Sequence, residues 1–153
     1  MIGISENKLH HILGVARKCY EIAKEEGYDE EFCRIMFMIG WCHDVGYEFS
    51  EETEDHPQIS VELIEDLVCM FCRGDVEISN LTKQAILGHG KEPTEKDLKN
   101  VKWVILNTAD LVIDSKGKDV GVEKRLEDIK ERYGSESRQY LTAVQRARDI
   151  GLI

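Results

Sequence analysis

The chain has only two prolines, Pro57 and Pro93, in 153 residues. It also lacks any extended run of alternating β-branched residues. Nothing argues for a sheet, and the pattern predicts an all-α fold. Long hydrophobic runs are missing too: the longest, "IMFMIGWC" at 35–42, falls far short of the roughly 20 residues that cross a bilayer. The polar start, "MIGISENKLHH", carries no secretory signal, so the expectation is a cytoplasmic protein with no membrane partner. Basic residues are in deficit, 20 Lys and Arg against 30 Asp and Glu, a formal charge of −10. That balance argues against a nucleic acid duplex or an acidic membrane surface as the main partner, because both select basic patches. Phosphates stay within reach only if bound cations reverse the sign locally. The five cysteines are odd in number and mostly sit among apolar residues, which reads as small buried thiols rather than a disulfide framework. "CMFC" at 69–72 has no second pair to complete a zinc site.

What remains is a chain with 42% apolar and 33% charged residues, enough for one domain over 1–153 with its own core. Six to seven helices are expected. Ser5 is placed to cap the first, whose Leu9, Ile12, Leu13, Ala16, Tyr20 and Ala23 recur at helical spacing up to about Gly27. The second runs from Asp29 through Phe32, Ile35, Met36 and Ile39 to His43 and Asp44, with Gly46 as its stop. After the acidic stretch "EFSEETED", read as a solvated loop, His56-Pro57 opens a third helix with proline in its first turn. Its apolar face is Ile59, Leu63, Ile64, Leu67 and Val68. A fourth helix covers Val76 to Leu87 and stops at "GHG". Thr94 and Asp97 form a capping-box variant for a fifth, continuing through Leu98, Val101, Val104 and Ile105 to Asp110. One or two amphipathic helices follow at 119–133 and 136–150.

His11, His43, Asp44, His56, His89 and Asp110 fall on or at the ends of five different expected helices, each beside apolar sequence. Imidazoles and carboxylates converging from separate helices are what a bundle-core metal site is made of. Such N and O donors suit Fe, Mn, Zn, Co or Ni better than Mg alone. Each residue singly is weak evidence, since a lone histidine is more often a satisfied side chain than a ligand.

Taken together, "HILGVAR" (11–17), "WCHDVGY" (41–47), "DHPQISVELI" (55–64), "AILGHGKEP" (85–93) and "NTADLVID" (107–114) resemble the HD superfamily of metal-dependent phosphohydrolases. The order His, His-Asp, His, His, Asp matches across about 100 residues. The resemblance implies a helical bundle in which His11, His43, Asp44 and Asp110 form the primary metal site. It implies that Asp44 can bridge to a second ion, and that His56 and His89 are the extra ligands of the two-metal branch. One or two divalent transition-metal ions are the implied cofactors. The implied activity is hydrolysis of a small phosphorylated substrate, a nucleotide or another phosphoester, by a metal-activated water. His10 is the weaker of its pair and is expected at the surface.

Many family members carry a lysine three residues after the HD aspartate, where this chain has Tyr47. A phenol can donate a hydrogen bond but brings no positive charge at neutral pH. Basic help then falls to Lys91 in "GHGKEP", with Lys116, Lys118 and Arg125 as further candidates. Asp44, Tyr47 and Lys91 are the expected catalytic groups. Two other classes stay open: a di-iron oxygenase of the same fold, and a regulatory module that holds metal and nucleotide without turnover.

Overall fold

In the computed structural model, residues 6–44 and 56–153 are described, with side chains at 8–44, 59–62 and 65–153. Ser5, Gly46, Tyr47 and the acidic stretch therefore lie outside the described residues, as do the side chains of His56, Leu63 and Ile64. Eight helices occur among the described residues: α1 Glu6–Glu25, α2 Glu30–Cys42, α3 His56–Phe71, α4 Val76–Gly88, α5 Glu95–Lys99, α6 Val101–Asp110, α7 Gly121–Tyr133 and α8 Arg138–Asp149. The fold is all-α. An isolated antiparallel bridge between Ile113 and Asp119 pins the loop after α6. None of the helices among the described residues is long and apolar enough to cross a membrane.

Local sequence explains most of the helix ends. Asp29 leaves helical dihedrals and accepts the Phe32 N–H at α2, Asp75 does the same for Ile78 at α4, and Ser137 does so for Tyr140 at α8. The Thr94/Asp97 capping box is complete. Beyond it the expectation fails: the fifth helix is two. Asn100 sits at φ −90°, ψ 104°, closing α5 and opening α6. Its Oδ1 accepts the Lys102 N–H while its amide donates to Leu81 O, 2.9 Å away. An asparagine that can cap one helix and tie to another prefers that to a helix interior.

α1 packs against α2, and α6 against both, with α4 against α6 and α3 against α4. Gly40 permits the α1–α2 approach, since a Cβ there would lie 2.6 Å from Ala16 Cα. The main core collects Val15, Cys19, Cys33, Met36, Ile39, Val68, Ile86, Ile105 and Leu106, among others, from α1, α2, α3, α4 and α6. A smaller cluster, Leu111, Leu126, Ile129, Ala143 and Ala147, joins α7 and α8 to the end of α6. Three residues expected on apolar faces, Leu9, Leu67 and Leu98, are instead exposed at the edges of their helices. The thiols are buried except for Cys69, which turns outward one position after the buried Val68, and none forms a disulfide.

Candidate metal centre

His11 lies on α1, one turn below Gly14. A Cβ at Gly14 would come within 2.6 Å of Gly117 O, so the loop after α6 rests directly on the α1 backbone there. That contact brings the Asp114 carbonyl to His11 Nδ1, 3.0 Å away. His43 closes α2, and its Nδ1 lies 2.6 Å from Gly40 O, three residues back. His89 closes α4 in the same manner, with Nδ1 2.5 Å from Ile86 O. A carbonyl only accepts, so each Nδ1 carries a proton and donates it. All three imidazoles therefore turn Nε2 inward, the arrangement found where backbone acceptors orient metal-binding histidines.

The inward nitrogens meet two carboxylates. His11 Nε2 is 3.0 Å from Asp110 Oδ1 and 3.6 Å from Asp44 Oδ2. His43 Nε2 is 3.1 Å from Asp44 Oδ2 and 3.5 Å from Asp110 Oδ1. Neither contact is aligned as a hydrogen bond, and His43 Nε2 is a buried polar atom without a partner. On the other side, Asp44 Oδ1 lies 3.0 Å from His89 Nε2. Asp44 thus spans the cluster, one oxygen toward His11 and His43, the other toward His89. The His43 ring stands 5.7 Å from that of His11 and 5.0 Å from that of His89.

Burial opposes a charge on His43, but the Asp44 and Asp110 carboxylates outweigh it and push the imidazole up to about 10. Burial alone would raise Asp110, yet the hydrogen bond from His11 and the close His43 imidazole hold it well below the ordinary carboxylate range. Protons thus occupy the space between donors, where they compete with any cation.

Donor atoms of His11, His43, Asp44 and Asp110 all lie within 4.8 Å of one another, and this buried group could hold a metal ion. The fit is chemical as well as spatial: an inward Nε2 without a partner faces two anionic oxygens in a nearly closed space. Mixed imidazole and carboxylate donors match a divalent transition ion.

Of the residues singled out from sequence, His11, His43, Asp44, Asp110 and His89 come together. His56 stands at the first turn of α3, its side chain outside the described residues, as is all of Tyr47. Lys91 is exposed on the turn after α4, and His10, Lys116 and Lys118 are exposed as well. Arg125 is half-buried, its Nε donating to Asp110 O at 3.2 Å. Two cations at the cluster escaped the sequence reading. Lys8 Nζ lies 3.5 Å from Asp44 Oδ2, with its side chain 24% exposed. Arg146 is buried and reaches Asp110 from α8. Signals existed for both: Lys8 precedes His11 by one helical turn, and Arg146 occupies the apolar phase of α8.

No family model, curated protein or solved structure matches the chain.

Proposed function

We propose that this protein is a metal-dependent phosphohydrolase of the HD type, acting on a nucleotide or another small phosphoester. The observation that carries the reading is the inward convergence of three backbone-anchored imidazoles on two buried carboxylates, with His43 Nε2 left unpartnered. The ordered His, His-Asp, His, His, Asp series in the sequence gives that donor set its HD assignment.

His11, His43, Asp44 and Asp110 would hold the first divalent transition-metal ion. A second ion would be held by Asp44 and His89, with His56 assigned to it by the sequence series alone. Bound there, the metal supplies a nucleophile at neutral pH by lowering the pKa of water, and offsets phosphoester charge. The protein's own part is orientation. Each Nδ1 is held by a carbonyl, which fixes the ring planes and leaves Nε2 as the nitrogen turned toward the ion that would displace its proton. Lys8, partly exposed beside Asp44, is the cation that would meet an anionic substrate arriving at the cluster. It takes the role that the sequence alone gave to Lys91, and the chain's overall charge of −10 makes such a local cation more valuable.

The test is direct. Protein purified without chelator and loaded in turn with Mn, Fe, Co, Ni and Zn should retain metal by mass spectrometry. It should then release phosphate or nucleoside from some member of a nucleotide and phosphoester panel. Asp44→Ala should abolish both. Retention of no metal by the parent chain, or turnover that survives Asp44→Ala, ends this reading.

A further inference from the structure

Asp110 is the last residue of α6, and its two oxygens are used differently. Oδ1 faces His11 and His43, whereas Oδ2 faces the Arg146 guanidinium, 3.4 Å away. Arg146 comes from α8, and the same Nη1 donates to Asn107 Oδ1 at 2.6 Å. Asn107 is itself fixed, because its amide donates to Trp103 O at 2.9 Å and leaves only the oxygen to accept. Trp103, Asn107 and Asp110 therefore form one ladder along α6, with Arg146 across its upper rungs.

This cation is in an unusual place. Residues 143, 146, 147 and 150 have the spacing of the face that α8 turns inward, and its other members are Ala143, Ala147 and Ile150. Arg146 is 5% exposed, and its Nε is buried without a partner. A buried ion pair seldom stabilises a fold more than apolar residues of similar volume would. Packing alone therefore gives no reason for an arginine at this position, while its geometry on Asp110 does. The terminal torsion of an aspartate is broad and roughly two-fold. Without a brace, the carboxylate of Asp110 could rotate or offer both oxygens to the cluster.

Resting on the reading of the cluster as a metal centre, we infer that Arg146 is a positioning residue for it. By holding Oδ2, it restricts Asp110 to one inward oxygen and makes the α7–α8 hairpin part of the site.

Cobalt(II) binding to the full chain tests this, because its visible absorption reports the number and geometry of donors as well as affinity. Arg146→Met should weaken cobalt binding about 10- to 100-fold, the usual cost of losing a group that orients a ligand, and should change the absorption bands. Arg146→Lys keeps charge and bulk but loses the planar fork. It should fall between the parent and Arg146→Met in affinity and in spectrum. If Arg146→Met fails to fold by circular dichroism, Arg146→Lys decides alone. Parent-like affinity and bands in the folded variants overturn the inference, because a merely structural arginine would move the melting temperature and leave the spectrum alone. Failure of the parent chain to bind cobalt would instead remove the metal-centre reading on which the inference rests.

Discussion

The two apolar clusters of this protein are built on different terms. The larger draws fully buried aliphatic, methionine and cysteine side chains from five helices, and the histidine–aspartate group is set into one end of it. The smaller has Leu111, Ala143 and Ala147 at full burial with Leu126 and Ile129 nearly so, and α7 and α8 are otherwise heavily charged. A hairpin with so little apolar area cannot offset its own conformational entropy. It stands by leaning on α6, through Leu111 and through Arg146 on Asn107 and Asp110. The lesson is that donors can come from a self-sufficient core while the group that aims one of them comes from a dependent flank.

That contrast can be broken most forcefully at Asp110, where both regions meet. Asp110→Ala strands His11, His43 and Arg146 together, and should cost about 3–5 kcal/mol of unfolding free energy in chelator-treated protein. Urea denaturation checks it; a loss under 1 kcal/mol would mean that the two regions are not joined through this carboxylate.

Next come the clusters themselves. Ile39→Ala, in the larger core, should cost about 4 kcal/mol, and Leu126→Ala, 8% exposed in the smaller, about 2 kcal/mol. Equal losses in urea melts would remove the distinction between a primary and a dependent core.

Of intermediate size is a pH effect confined to the site. In metal-free protein, the raised His43 stabilises fully below its unfolded value of 6.5, and that contribution is lost as pH climbs through about 10. The depressed Asp110 stabilises fully above its unfolded value of 3.8, and that contribution is lost as pH falls toward its lowered folded value. Stability from this pair should therefore be greatest between pH 3.8 and 6.5 and decline on the alkaline side. Urea melts across pH with His43→Gln as control would test it: an unchanged alkaline decline in the variant assigns the effect elsewhere.

The smallest effects concern helix ends. Asp29→Ala and Ser137→Ala each remove a side chain that accepts an N–H, at about 1 kcal/mol apiece. Hydrogen exchange should spread the first loss through the large core and confine the second to α7 and α8.

Much of this molecule was legible in the order of its residues, for identifiable reasons. Helical periodicity located the elements because the apolar face of a helix must repeat near 3.6 residues whatever it packs against. The Thr94/Asp97 pair announced the start of α5 because an N-cap acts within three positions of itself. Asn100 was misread for a related reason: its second hydrogen bond goes to Leu81, nineteen residues away, and no local pattern reveals that acceptor. Lys91 was named because it stands close to His89 in sequence, whereas Lys8 drew no attention because nearness in space has no local signature. Lys91 is exposed after α4, while Lys8 reaches Asp44 from a different helix.

Sequence alone determined the all-α character and the inventory of donors, since both depend on side-chain type and short-range spacing. Only the tertiary structure decided which nitrogen of each imidazole faces inward, that Asp44 lies between His89 and the other two histidines, and that Arg146 braces Asp110. Those facts depend on contacts between residues up to 103 positions apart, from His11 to Asp114. Such contacts are set by how helices pack, where a glycine such as Gly14 or Gly40 lets two backbones come close enough to fix the angle of a ring.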